Sequence, residues 1–427
     1  MKTILKNVHI VDPTTSTNQK ADIVIENNVI TFIGSAPVEG DANVVECNGA
    51  IASPGFIDMH VHLREPGRED KETVETGCNA AAAGGFTAVA CMPNTTPCID
   101  SEQVVTLIKQ KAVRHAVDVF PIAAATVNRE GEVLAPMAEL HDAGAVGFSD
   151  DGVAIKTAQI LRRTMEYAKM FDLPIIEHCE DPSLMDGNMN EGFHSTLFGV
   201  SGLPSVSEDL IVMRDILMSE YTGAKLHIAH ISTKGAVQLV RDAKKRGIRV
   251  TAEVAPHHFT FDDSMLAKYD TNYKMNPPLR TKEDVAAMLE GLRDGTIDVI
   301  ASDHAPHSLE EKENEFEYAP NGILGLETML GAICTELYHK GVLTLEQIIE
   351  KLAVNPRKVL GMQVPKIEVG AEPNISLFFP DEEWVVDINK FKSKSRNSPY
   401  HGSTLKGKPF GIVNRGKIYV NGTYSAV

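Results

Sequence analysis

Two imidazoles two residues apart, His60 and His62, are the first side chains along the sequence that could do chemistry together. Residues i and i+2 of a strand point to the same face, so both rings can aim at one point. The segment ahead of them, Gly55-Phe56-Ile57-Asp58-Met59, reads as a buried strand, which sets the pair at a strand end and not on a washed surface. Further along, Asn94, Asp150-Asp151, His178, His230, His257-His258 and Asp303-His304 each follow a short apolar run. A lone histidine in such a place is ordinarily structural; a recurring series of them is a different pattern. Imidazole and carboxylate without thiolate suit a catalytic Zn²⁺. Four histidines and two carboxylates exceed what one ion needs, and suit two ions a few ångströms apart that share a hydroxide. One division puts His60, His62 and Asp303 on one ion, and His178 and His230 on the other. The bridging carboxylate would be Asp150 or Asp151, only one of which can face the centre because strand neighbours alternate sides.

The elements that must position these residues follow from the apolar pattern. Eight short runs, at 56–62, 87–92, 117–124, 145–149, 174–178, 225–230, 248–254 and 298–302, alternate with stretches of helical period at 72–83, 101–115, 161–171, 208–221, 235–246 and 283–293. Eight strand–helix units predict an α/β fold, a parallel (β/α)8 barrel over residues 54–362, with active groups at the C-terminal strand ends. The runs are nearly continuous in apolar residues, as in strands buried on both faces. Residues 1–53 and 363–427 are β-rich instead. Strands are expected at 23–25, 29–33, 44–45, 51, 375–379, 384–388 and 411–420, with turns at Asn27-Asn28, 414–416 and Asn421-Gly422. One small β-sandwich domain built from both ends accounts for them. The dense charge at 310–317 suggests a mobile lid after the eighth strand.

The 427 residues carry 41 Lys and Arg against 58 Asp and Glu, a formal net charge of −17, which argues against nucleic acid or an anionic membrane as partner. It leaves room for a small acidic substrate, since a site needs only a few local cations. The six cysteines show no CxxC pair and no disulfide-framework spacing, so reduced thiols in a cytoplasmic protein are expected. Cys179, next to His178, is expected to face away and pack. Lys6, Asn7 and His9 interrupt the first apolar stretch, so it is not expected to be a signal peptide, and no run has the length of a membrane span.

The residues from Pro54 to Gly67, PGFIDMHVHLREPG, resemble the opening motif of the dihydroorotases, of the bacterial class that joins a barrel to a β-sandwich. Met92-Pro93-Asn94-Thr95, Asp150-Asp151-Gly152, Glu177-His178-Cys179-Glu180, the stretch His227 to Ser232 and Asp303-His304-Ala305-Pro306-His307 follow in that family's order. The first motif is shared with hydantoinases and allantoinases; the set together is specific and runs along almost the whole chain. The resemblance implies that His60, His62, His178, His230 and Asp303 bind zinc, two ions per subunit bridged by Asp151 and hydroxide. It implies a substrate clamp from Arg64, Asn94 and His307, and a ring-lining role for Asn276, Asn321 and Gly322. It further implies a homodimer, although nothing in the sequence marks an interface.

The family reaction closes N-carbamoyl-L-aspartate to L-dihydroorotate with loss of water, reversibly, in pyrimidine biosynthesis. Asp303 would then serve as general base in one direction and acid in the other. Arg64, two residues past His62, has a planar guanidinium suited to a carboxylate. His257, His258 and Asp58 are candidates to orient the ligands from behind, and His304 should face away because it adjoins Asp303. Hydantoinases and allantoinases are the nearest alternative, but they generally bridge their metals with a carboxylated lysine. The fourth run has no lysine, and Lys156 lies beyond it. A non-catalytic scaffold homologue is the alternative of another class; it should have lost metal ligands, and none is missing.

Overall fold

The structure, a computed structural model, describes residues 2–35, 42–420 and 422–427. Its centre is a closed ring of parallel strands: Phe56–Val61, Phe86–Cys91, 118–124, Phe148–Ser149, Ile175–Glu177, Leu226–Ile228, Val250–Val254 and Val299–Ile300. Each pairs in parallel with the next. The third is two segments, Asp118–Pro121 and Ala123–Ala124, continued across Ile122, whose N–H donates to the Cys91 carbonyl. The ring closes where Val61 bridges His304 and the His62 N–H donates to the His304 carbonyl at 2.8 Å. The eight-run expectation is therefore a (β/α)8 barrel. Several strands are shorter than their apolar runs, since the chain leaves the ladder once side chains begin to converge on the barrel mouth.

All six expected helices form, at Val74–Ala83, Glu102–Ala112, Ala158–Ala168, Val206–Thr222, Lys234–Lys245 and Lys282–Asp294. Their starts follow capping chemistry more closely than apolar period. Thr73, Thr157, Thr233 and Thr281 accept an N–H of the first turn, satisfying donors that the helix itself cannot.

Both chain ends share one nine-stranded sheet, in which Ile51–Pro54 joins the N-terminal strands to the C-terminal Ile375–Val385 in antiparallel register. The sheet folds as a β-sandwich around its own core, where Leu5, Ile10, Ile23 and Ile25 meet Ile375, Leu377, Val413 and Ile418. The strand Lys2–Asp12 has no counterpart among the expected ones. Asn7, at φ 57°, shifts its register between Leu5 and Val8 and breaks the alternation that marks a strand. The turn at Asn27 and Asn28 has φ of 53° and 62°, the left-handed pair a tight hairpin needs. The strand expected over 384–388 stops at Val385, because Asp387 caps a 3₁₀ turn at Ile388–Lys390. The turn expected at Asn421-Gly422 involves Asn421, which lies outside the described residues.

The sandwich is tied to the base of the barrel by aromatic packing. Phe378, in the strand Ile375–Val385, is fully buried with its ring 5.5 Å from that of Phe56, the first residue of the first barrel strand. Phe378→Ala should destabilise the protein by about 3–5 kcal/mol, the usual cost of emptying a buried aromatic site. The midpoint of urea unfolding, read by fluorescence and circular dichroism, checks this. An unchanged midpoint would mean that the two units do not support one another there.

Candidate metal centre

The residues singled out by spacing come together at one end of the barrel. His60 is the penultimate residue of the first strand, His62 follows that strand, and Asp151, His178, His230 and Asp303 lie just past the fourth, fifth, sixth and eighth strands. All six are buried. Asp303 Oδ1 lies 3.1 Å from His62 Nε2 and 3.7 Å from His60 Nε2. Asp151 Oδ1 is 3.4 Å from His60 Nε2, 3.8 Å from His178 Nδ1 and 3.9 Å from His230 Nε2. Of the two adjacent acids, Asp151 thus faces the imidazoles. Asp150 points away, accepting from the N–H groups of Ala125 and Thr126 and from the Thr126 hydroxyl.

This donor set fits a metal. Buried His60 Nε2, Asp151 Oδ1 and His230 Nδ1 have no hydrogen-bond partner among the described residues, although such groups are normally paired. Two three-residue groups have ligand atoms within 4.8 Å of one another: His60, His62 and Asp303, and His60, Asp151 and His230. The first is the set expected for one ion. In the second, His60 stands where His178 was expected, while His178 Nδ1 sits 3.0 Å from His230 Nε2 at its edge.

Backbone strain marks the same place. His230, Asp303 and Arg64 have φ of 27°, 48° and 60°, in the region that non-glycine residues rarely occupy. Each costs on the order of 1–3 kcal/mol and persists only where the surroundings enforce it. Arg64 accordingly reaches the pocket by leaving the strand, not by strand alternation from His62.

The groups behind the ligands differ from those expected. Glu253, inside the seventh strand, sits 2.6 Å from His60 Nδ1, and Glu180 sits 3.0 Å from His178 Nε2. Asn94 holds His62 Nδ1 at 2.8 Å through Oδ1 and donates to Asp151 at 3.2 Å through its amide nitrogen. The orienting role given to His257 and His258 thus belongs to these residues. His258 donates to the Pro277 carbonyl instead, and His257 Nε2 has no hydrogen-bond partner among the described residues. An acid within an otherwise apolar run, and an acid at i+2 from a histidine, were the available signals. Asp58 acts on backbone: its carboxylate accepts from the N–H of His60 and of Ser302. His304 faces away, toward Glu72, and the Cys179 thiol lies against Asp215.

A cavity of about 220 Å³ opens over the centre, lined by His62, Asp151, His178, His230 and Asp303 and by every residue of the expected substrate set. Arg64 Nε donates to the Pro306 carbonyl at 3.1 Å. Burial lowers its guanidinium to a pKa of about 10, which leaves it charged. His307 Nε2 is 2.8 Å from the Asn321 carbonyl and Nδ1 is 3.2 Å from the Lys71 ammonium. A carbonyl only accepts and an ammonium only donates, so Nε2 carries the hydrogen and the ring is neutral. Burial, with Arg64 and Lys71 nearby, pushes the His307 pKa down to about 2. The 3.3 Å approach of Arg64 Nη2 to His307 Nε2 then brings two donors together and is not a hydrogen bond. Asn276 donates to Glu180 at 2.6 Å, while its buried Oδ1 has no partner among the described residues and can accept from a bound ligand. Gly322, at φ 128°, leaves room that a Cβ would fill at 2.6 Å from Ala305.

The charged segment after the eighth strand is not a free loop. Leu309–Lys312 is a short helix capped by Ser308. Glu311 pairs with Lys71 at 2.8 Å, and the buried Lys312 ammonium donates to the carbonyls of Pro320 and Gly322. The expected lid is anchored to the turn that lines the cavity.

Residues 49–236 match the Dihydro-orotase-like family. The chain is 47% identical over 419 residues to the dihydroorotase of Acetivibrio thermocellus, covering 98% of each chain. It is 49% identical to that of Caldanaerobacter subterraneus subsp. tengcongensis, covering 98% of this chain and 97% of the other. The chain belongs to the dihydroorotase family. Solved structures add the wider fold. L-hydantoinase (dihydropyrimidinase) from Arthrobacter aurescens superposes with a TM-score of 0.85 at 25% identity, over 99% of this chain and 96% of that one. Dihydropyrimidinase from Brevibacillus agri does so with 0.83 at 23%, over 99% and 95%. The metal-binding character rests here on the buried His and Asp groups.

Metal loading should compete with protons. Burial disfavours the His60 imidazolium, but Asp151 and Glu253 outweigh it and raise the pKa well above the ordinary value. Asp151 and Asp303 are held low against their burial by the surrounding imidazoles, so they stay ionised. A metal must therefore displace the His60 proton, and affinity should rise with pH through the neutral range. Zinc titration calorimetry at pH 6 and pH 8, in buffers of different ionisation enthalpy, reads the proton release. Equal affinities and no release would count against His60 as a ligand.

Proposed function

We propose that this protein is a dihydroorotase of de novo pyrimidine biosynthesis, a cyclic amide hydrolase that interconverts N-carbamoyl-L-aspartate and L-dihydroorotate. The observation that carries the reading is the placement of a buried, charged Arg64 in the same cavity as the converged His and Asp donors. A metal centre alone suits any cyclic amide; a guanidinium beside it suits one that bears a carboxylate.

His60, His62, His178, His230 and Asp303 would hold two zinc ions, with Asp151 between them. Bound there, the metals would lower the pKa of water and polarise an amide carbonyl. The chain's own residues do the rest. Arg64, joined by Asn94 and His307, holds the substrate carboxylate. His307, neutral with Lys71 donating to Nδ1, would turn its one N–H, on Nε2, from the Asn321 carbonyl to the carboxylate. Asn276 Oδ1 accepts from the ring N–H. The Asn321-Gly322 turn, braced by Lys312, closes over the ring. Asp303 takes a proton during ring opening and returns it to the leaving nitrogen, the same group serving both directions.

This chemistry belongs to the barrel, residues 54–362, while residues 1–53 and 363–427 form the β-sandwich unit. None of the described helices is long and apolar enough to cross a membrane. We read the protein as a cytoplasmic homodimer acting on a small molecule. The hydantoinase-like structures share the fold at 21–25% identity, which does not extend to their substrates.

With zinc supplied, the protein should convert N-carbamoyl-L-aspartate to dihydroorotate at mildly acidic pH, followed by dihydroorotate absorbance. Rapid opening of hydantoin or allantoin without turnover of either dihydroorotase substrate would overturn the assignment. Arg64→Met should raise KM for dihydroorotate roughly 10- to 100-fold, the worth of a hydrogen bond to a charged group, at unchanged metal content. Asp151→Ala should lose the second equivalent of zinc by elemental analysis and most of the rate. Full occupancy in that variant would mean Asp151 is not the bridge.

A further inference from the structure

Glu180, two residues past His178, does not line the cavity, yet it touches two residues that do. Its Oε2 lies 3.0 Å from His178 Nε2 and 2.6 Å from the Asn276 amide nitrogen. A carboxylate oxygen accepts and does not donate, so each neighbour must turn a hydrogen toward it. For His178 this puts the hydrogen on Nε2. The Nδ1 lone pair is left on the side where His230 Nε2 lies 3.0 Å away and Asp151 Oδ1 3.8 Å. The 3.4 Å approach of the Asn276 nitrogen to His178 Nε2 is then two donors meeting at one acceptor, not a bond between them.

For Asn276 the consequence reaches the ligand. An asparagine amide offers N–H on one side and oxygen on the other, and a half-turn about its last torsion exchanges them. The backbone around it is held. Met275 and Leu279 are buried in one cluster with Ile323, and the Gly322 N–H donates to the Lys274 carbonyl at 3.0 Å. Which way the amide faces is therefore the choice left open, and Oδ1, without a partner among the described residues, does not make it. Glu180 does. Reversed, the amide would set Oδ1 against Oε2 at hydrogen-bond distance with no hydrogen between them. We propose that Glu180 is a positioning residue that fixes two groups at once, turning Nδ1 of His178 to the metal and Oδ1 of Asn276 to the substrate. It thereby selects a ligand that brings an N–H to that point, because a buried acceptor left unpaired is costly. The inference rests on the dihydroorotase reading above and adds to it the residue that makes Asn276 an acceptor.

A double-mutant cycle tests this. At saturating zinc, Glu180→Leu should raise KM for dihydroorotate roughly 10- to 100-fold, the cost of a buried amide left without its acceptor. In an Asn276→Ala background the same change should move KM by about twofold or less, since no amide remains to be oriented. Zinc titration calorimetry should show the second equivalent bound about 10- to 100-fold more weakly in Glu180→Leu, with or without Asn276, as when the group behind a metal-bound histidine is removed. Effects on KM that multiply in the double variant would overturn the inference, and so would an unchanged zinc affinity. Should circular dichroism show Glu180→Leu unfolded, an exchanged pair takes its place. Asn276→Asp sets a second carboxylate against Glu180 and should bind dihydroorotate weakly. Adding Glu180→Gln, whose amide can donate to that aspartate, should recover most of the loss; no recovery would overturn the inference. A wild-type chain inactive toward both dihydroorotase substrates would overturn the reaction itself, and this inference with it.

Discussion

Burying four imidazoles and two carboxylates at one point is the constraint on which the rest of this structure turns. Charges taken out of water are costly unless each has a partner at close range, and removing one partner leaves the other unpaid. The protein meets this by pairing in depth. His60 is held between Asp151 in front and Glu253 behind, His178 leans on Glu180, and His62 is steadied by Asn94. Glu253 is itself drawn down to a pKa of about 2 against its burial by His60 and His227. The centre is thus a network in which His60 and the carboxylates Asp151, Asp303 and Glu253 keep one another ionised, and it tolerates a metal because several donor atoms remain uncommitted within it.

Such a network needs a scaffold that does not relax. Closure of the barrel through Val61 and His304 fixes the first and eighth strands relative to one another, and with them His60, His62 and Asp303. The left-handed backbone at Asp303 adjoins that closure through His304. The same rim carries the substrate side. Lys71, Glu311 and Lys312 link the first and eighth loops, setting the tautomer of His307 and bracing the turn at Gly322. In this way an acidic protein sets a guanidinium, Arg64, at the cavity without a large basic surface.

Some of the fold was hidden for local reasons. Lys2–Asp12 escaped notice because one bulge at Asn7 disturbs its alternation, and the charged stretch at 310–317 reads as mobile until the burial of Lys312 is known. The orienting role expected of His257 falls to Glu253 for a related reason. Both lie within one short stretch, and only the direction of each side chain tells which one backs His60.

By itself the sequence determined the chemistry on offer: imidazole and carboxylate at successive strand ends, an arginine close behind the first pair, and a fourth run without lysine. Period and alternation act over a few residues, so they also announced the eight strand–helix units and both β-rich ends. Tertiary structure alone decided which of Asp150 and Asp151 faces the imidazoles, that Glu253 and Glu180 stand behind them, and that Arg64 arrives through a strained turn. Those outcomes depend on contacts between residues up to about 240 positions apart, as with Arg64 and Pro306, whose separation is 242. Spacing along a single strand carries no information about distances of that kind.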